Sequence, residues 1–197
     1  PILTLFNRTA KEVCEGQQYD VDFETRNDVT IPEYLKMIEY KTAVLVAAAM
    51  KMGAIIAQTS KENSKLIYEF GLNLGLAFQL QDDYLDAFGD PKTFGKQVGG
   101  DIIENKKTYL YLKALEFAAL EEKDKLIQLF SVQIEDNKDK IEAVKQIFNS
   151  TGASQATQKA IEEFTLKAFN TLEKIEISKD KKTMLKEFGQ SLMSRNK

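Results

Sequence analysis

The stretch Phe78-Gln79-Leu80-Gln81-Asp82-Asp83-Tyr84-Leu85-Asp86-Ala87-Phe88-Gly89-Asp90 joins helical apolar spacing to a concentration of carboxylates. It closes a longer periodic run, and residues 61–88 read as one helix. Asp82 and Asp86 lie four apart and share a face of that helix, with Gln79 three before Asp82 on the same face. Like charges at this spacing repel, and aspartate is a poor mid-helix residue. Two adjacent aspartates with a third one turn on therefore point to a bound cation. A donor set of oxygens without imidazole or thiolate suits Mg²⁺ first and Ca²⁺ second. The plain alternative is a solvated acidic helix end. Phe78, Leu80, Tyr84, Leu85 and Phe88 argue against a freely exposed face.

Outward from this segment the helical pattern continues in both directions, with almost no period-2 alternation. Ile2, Leu5, Phe6, Thr9 and Val13 fall on one face of a first helix, which is expected to stop near Gly16. Residues 21–30, polar and rich in β-branched side chains, read as a loop. Thr30, Pro32 and Glu33 then carry the signature of a capped helix start. Residues 43–57 are apolar all round except for Lys51, which predicts a helix buried at the centre of a bundle. Gly71 and Gly75, one turn apart, suit close helix packing. Further helices are expected over 105–120, 122–131, 136–151, 153–177 and 179–194. The fold class is all-α, a helical bundle formed by 1–197 as a single domain.

Composition narrows the chemistry. There are 197 residues with a net charge of −3, which disfavours nucleic-acid binding through a general basic surface. The absence of histidine removes Ser-His-Asp and Cys-His triads and imidazole-built zinc sites. The single cysteine, Cys14, cannot form an internal disulfide and fits a reducing, cytoplasmic setting. Ala43 to Met50, the longest apolar run, is far short of the ~20 residues that span a bilayer. No basic n-region of a signal peptide opens the chain. Apart from Arg8, Arg26 and Arg195 the cationic side chains are lysines.

Three polar features accompany the acidic helix. Gly95-Lys96-Gln97-Val98-Gly99-Gly100-Asp101 followed by Asn105-Lys106-Lys107-Thr108 suits a polyphosphate shared between metal and ammonium groups, without Walker spacing. Lys41-Thr42 stands before the apolar 43–57 run, where a lysine needs a partner or must snorkel to water. Gly16-Gln17-Gln18-Tyr19-Asp20 reads, alone, as a glycine helix stop.

In this order and spacing, Gly16-Gln17-x-x-Asp20, Lys41-Thr42, Phe78-Gln79-x-x-Asp82-Asp83-x-x-Asp86, Gly95-Lys96 with Gly99-x-Asp101, and Lys106-Lys107-Thr108 resemble the trans-isoprenyl diphosphate synthases, the polyprenyl synthetase family. The resemblance covers about residues 1 to 115. It implies an isoprenoid-synthase-type helical fold with a deep cavity and three Mg²⁺ ions holding an allylic diphosphate. That diphosphate ionises, isopentenyl diphosphate attacks the cation, and the departing pyrophosphate takes the proton. By resemblance Asp82 is the leading metal ligand, with Asp83 and Asp86 supporting it. Lys41, Lys96 and Lys106 hold the diphosphate. Thr42 and Gln79 line the reacting centre, and Gln17, Asp20 and Asp101 order metal-bound water and lysines. A homodimer is also implied.

The family's first aspartate-rich motif and its arginine pair do not occur in these 197 residues. The chain is therefore expected to be the C-terminal three-fifths of a longer enzyme, inactive alone. A non-catalytic partner subunit of a heteromeric synthase, or a structural bundle that binds a cation incidentally, are the competing readings.

Overall fold

The computed structural model describes residues 1–90, 98–131 and 137–194. Among them every regular element is helical: α1 (Ile2–Thr25), α2 (Ile31–Ile38), a π turn (Glu39–Ala43), α3 (Val44–Ile56), α4 (Lys61–Phe88), α5 (Gly100–Ile103), α6 (Tyr109–Phe117), α7 (Leu120–Leu129), α8 (Asn137–Ser150), α9 (Ala153–Glu173) and α10 (Lys179–Met193). α4 is the axis of the bundle. It packs along α9 on one side and along α3 and the π turn on another. Phe70, Leu74, Ala77 and Leu80 of α4 have no exposed surface. Around its C-terminal half gather Tyr34, Ile38, Leu110, Val144 and Phe148; around its N-terminal half, Ala168, Leu172 and Ile175.

The helix starts follow from local chemistry. Thr30 forms a full capping box with Glu33, whose carboxylate accepts the Thr30 backbone N–H at 2.9 Å, and Pro32 sits in the first turn. Ser60 caps α4 by accepting the Asn63 N–H at 3.1 Å.

Two expectations need correction. α1 does not stop at Gly16 but continues to Thr25, so the first half of the expected loop 21–30 is helical and residues 26–30 form the loop. Gly16 is buried against another backbone, and buried Phe23 anchors the extra turns. Tertiary contact has overridden a local stop signal. The apolar 43–57 helix is not enclosed either. Val44, Ala47 and Ala48 are buried, but Leu45 is 58% and Ile56 71% exposed among the described residues. Only one stripe of it meets neighbours. The predicted 61–88 helix stands as expected. The helix predicted to begin at 105 begins at Tyr109, after a turn that belongs to the site.

Gly71 and Gly75 do permit close packing. A Cβ on Gly75 would lie 2.6 Å from Ala43 Cα, and one on Gly71 2.8 Å from Ala47 Cα. Gly53 in α3 faces open space. Gly75→Ala is therefore expected to destabilise the fold by about 1–3 kcal/mol through overpacking. Gly53→Ala is expected to stabilise it by about 0.4–1 kcal/mol. Urea unfolding of the two variants checks the contrast, and equal stabilities would contradict the close approach of α4 to the π turn at Ala43.

Candidate active site

The C-terminal half of α4 presents its acidic face to a cavity of about 310 Å³. Five segments bring side chains to it. α4 supplies Gln79, Asp82, Asp83 and Asp86. α1 supplies Asp20. α2 supplies Tyr34 and the π turn Lys41. The segment from α5 to α6 supplies Asp101, Lys106 and Lys107. With Glu24 the lining holds six carboxylates against three lysines.

The π turn explains how Lys41 arrives. A π turn adds a residue to one helical turn and recurs at functional sites. α1 crosses this turn at Gly16, where a Cβ would lie 2.3 Å from the Lys41 backbone nitrogen. Only glycine allows that approach. It places Asp20, one turn further along α1, to accept a hydrogen bond from Lys41 Nζ at 2.5 Å. Thr42, next in the turn, donates to Gln79 Oε1 at 2.9 Å.

From Gln79 the polar chain continues inward. Gln79 Nε2 donates to Asp83 Oδ1 at 2.8 Å, and Tyr34 Oη donates to Asp83 Oδ2. Asp83 and Tyr34 are buried, and both Asp83 oxygens have donors. Asp86 Oδ2 accepts the Asp101 N–H at 2.9 Å, and the Asp86 carbonyl accepts the Gly99 N–H at 2.6 Å. Lys106 Nζ donates to Asp101 at 3.0 Å and pairs with Glu104 at 2.7 Å. Lys107 Nζ donates to the Glu24 carbonyl at 2.7 Å, tying this segment to the end of α1. Asp82 lines the cavity with no hydrogen bond from a described side chain.

The electrostatics follow from this crowding. Burial, then the charge of Asp101, pushes the Asp83 carboxyl up to about 7, against the donors Tyr34 and Gln79 that favour its ionised form. The same two causes raise Asp86 to about 6. Burial and the Asp83 charge raise the Tyr34 hydroxyl well above its usual value. Burial lowers Lys106, but its ion pairs with Glu104 and Asp101 prevail and raise it. The pocket thus holds more negative charge than its own lysines balance. Oxygen donors in excess of local cations fit a hard divalent ion. Among the described residues no three acidic or thiol side chains converge as a ready-made metal cage.

Of the residues singled out from the sequence, Lys41, Gln79, Asp82, Asp83, Asp86, Asp20, Asp101 and Lys106 meet at this cavity, and Thr42 joins through Gln79. Gln17 does not: it is exposed on α1 and lines no part of the cavity. Lys96 and Gly95 lie outside the described residues. Tyr34 is a site residue that the sequence reading misses. Its signal is present, seven residues before Lys41 on an otherwise apolar face, but an aromatic there also reads as plain core.

The geometry defines a class first: an all-α bundle whose central helix ends in an acidic pocket rimmed by lysines. Residues 1–149 match the Polyprenyl synthetase family, and the chain belongs to that family. It is 35% identical over 195 residues to a geranylgeranyl diphosphate synthase of Saccharolobus solfataricus, covering 98% of this chain and 58% of that protein. It is 44% identical over 144 residues to a short chain isoprenyl diphosphate synthase of Methanothermobacter thermautotrophicus, covering 73% of this chain and 43% of the other. A crystal structure of a geranylgeranyl pyrophosphate synthase superposes with TM-score 0.93 at 52% identity, over all of this chain and 61% of that one. The structure of geranylgeranyl pyrophosphate synthase from Corynebacterium glutamicum, complexed with isoprenyl diphosphate and magnesium, gives TM-score 0.90 at 26% identity, over 98% of this chain and 55% of that one. The fold is that of the isoprenoid synthases. The chain spans about half the length of the curated relatives it matches. No helix among the described residues is long and apolar enough to cross a membrane.

The raised carboxyls carry a signed pH dependence. A folded-state pKa above the unfolded value of ~3.9 means that the fold binds the proton more tightly than the unfolded chain. Stability from Asp83 and Asp86 is full below that value and is lost as pH rises through about 6 and 7. In EDTA, thermal unfolding is expected at higher temperature at pH 5.5 than at pH 8, and Asp83→Asn should flatten the difference. Equal slopes for the two proteins would contradict the buried, repelled carboxyl.

Proposed function

We propose that this chain carries the allylic diphosphate site of a prenyl diphosphate synthase that elongates an allylic diphosphate with isopentenyl diphosphate. The observation that supports this best is the convergence on one cavity of the α4 carboxylates, of Lys41 held by Asp20, and of Gln79 held between Thr42 and Asp83. In the reaction the allylic C–O bond breaks, the double bond of isopentenyl diphosphate forms the new C–C bond, and a proton leaves to the departing pyrophosphate. Such chemistry needs charge neutralisation on a leaving group and a shielded cation, not a histidine base.

Mg²⁺, when bound, supplies Lewis-acid stabilisation of the leaving pyrophosphate. Asp82 and Asp86 face the cavity and are the carboxylates that would hold it. Asp83 acts from behind them: with its oxygens taken by Tyr34 and Gln79, it fixes the Gln79 amide. Gln79, held by the Thr42 hydroxyl at its Oε1, then presents its amide to the part of the cavity where the allylic carbons would lie. Lys41, oriented by Asp20, and Lys106, oriented by Asp101, take the phosphate oxygens, with Lys96 as a third. The Corynebacterium glutamicum synthase is a magnesium complex, which supports the choice of ion. The single-domain reading, the cytoplasmic setting and a homodimer formed through the helices around α1 belong to the same proposal. So does the expectation that this chain alone does not condense the two substrates, because it contains one acidic motif where the reaction uses two.

Calorimetric titration with dimethylallyl diphosphate and Mg²⁺ tests the assignment. Asp82→Ala is expected to weaken Mg²⁺-dependent binding at least tenfold. Lys41→Met should cost about 1.5–3 kcal/mol of binding free energy by removing one charge-assisted hydrogen bond to the diphosphate. Unchanged affinity in both variants, with the fold intact, would contradict the site. A prenyl product formed by this polypeptide alone would overturn the expectation of incompleteness.

A further inference from the structure

Lys140 is 1% exposed and has no part in the proposed reaction. It lies in the first turn of α8, outside the cavity. Its Nζ donates to Asn105 Oδ1 at 2.6 Å and stands 5.7 Å from the centre of the Phe130 ring. That acceptor is an uncharged amide, so this hydrogen bond does not neutralise the ammonium. Burial accordingly lowers the Lys140 pKa. A buried ammonium held this way costs free energy unless its hydrogen bonds are well made.

Asn105 closes the short α5 helix in the left-handed region, with φ +56°, a conformation that asparagine adopts more readily than other residues bearing a β-carbon. The reversal there lets the next residue turn back: the Lys106 N–H donates to the Asp101 carbonyl at 2.9 Å, and Lys106 Nζ reaches the Asp101 carboxylate at 3.0 Å. The other end of this segment begins at Gly99, with φ +89°, where a Cβ would meet the Ile141 side chain at 2.7 Å. Two successive residues of α8, Lys140 and Ile141, thus press on the two ends of the segment 99–106.

We propose that Lys140 is a positioning residue: by holding Asn105 in its left-handed turn, it sets Lys106 against Asp101 at the rim of the carboxylate pocket. α8 thereby tunes an anion site that it does not enter. The functional consequence rests on the reading that the pocket takes a metal-bound diphosphate; the conformational claim does not.

The test compares wild type, Lys140→Met, and Lys140→Met with Asn105→Gly. NMR chemical shifts and the HN–Hα coupling of residue 105 report its φ, and calorimetry with inorganic pyrophosphate and Mg²⁺ reports the site. Lys140→Met is expected to lose the left-handed signature and to bind pyrophosphate roughly tenfold more weakly, a typical loss for groups that orient ligands from behind. The double variant should recover to within about twofold of wild type, because glycine takes positive φ without strain. An intact Asn105 signature in Lys140→Met overturns the proposal. So does a double variant no better than the single one. If Lys140→Met does not fold, Asn105→Ala serves: it removes the acceptor and disfavours positive φ, and wild-type pyrophosphate affinity in that variant overturns the proposal. Wild type that binds no pyrophosphate refutes the diphosphate reading instead, and the NMR signature still decides what Lys140 does.

Discussion

Mutual repulsion among carboxylates inside a partly buried pocket is the constraint on which the rest of this structure depends. Asp82, Asp83 and Asp86 come from one helix face, and Asp101 approaches from the next segment. Such a cluster survives only if the fold supplies donors and leaves room for added positive charge. The donors are specific: Tyr34 and Gln79 on Asp83, the Asp101 N–H on Asp86, and Lys106 on Asp101. They leave the Asp83 and Asp86 carboxyls with raised affinity for protons, which is the sign of incomplete compensation.

The surrounding architecture can be understood as what that pocket requires. A long central helix gives the aspartates a rigid platform, fixed by close approach at Gly71 and Gly75. The π turn at Glu39–Ala43 offers Lys41 and Thr42 at adjacent positions, one to α1 and one to α4. Gly16 lets α1 come near enough for Asp20 to aim Lys41. The elements that build the pocket therefore meet through three contacts, at Gly16, Gly71 and Gly75, that a single methyl group would block.

Much of this is legible in the residues themselves. The 61–88 helix, the Thr30 capping box and the shared face of Gln79, Asp82 and Asp86 follow from helical period and local hydrogen-bonding chemistry, and each stands as read. The family can be named because short motifs recur in a fixed order, which is independent of propensity. What cannot be read is tertiary. Gly16 looks like a helix stop in sequence, yet its missing side chain serves a crossing with residue 40–41 backbone, and α1 runs on to Thr25. The 43–57 run has no polar face to orient it, so the pattern cannot say which side packs, and Leu45 and Ile56 stay exposed. Gln17 adjoins Gly16 but is exposed and lines no part of the cavity that Asp20 reaches. Tyr34 and Lys140 are hidden because buried hydroxyls and ammoniums resemble core and surface residues, respectively, until their partners are known.

On the proposed reading the pocket is an unfinished charge balance, completed by a divalent cation and a diphosphate together. Calorimetric titration of Mg²⁺ into the protein, with and without saturating inorganic pyrophosphate, tests it most directly. By linkage each ligand must tighten the other by the same factor. Mg²⁺ binding that strengthens at least tenfold when pyrophosphate is present is the expected result. Mg²⁺ affinity that is the same in both titrations would contradict it and reduce the acidic cluster to an ordinary cation-attracting patch.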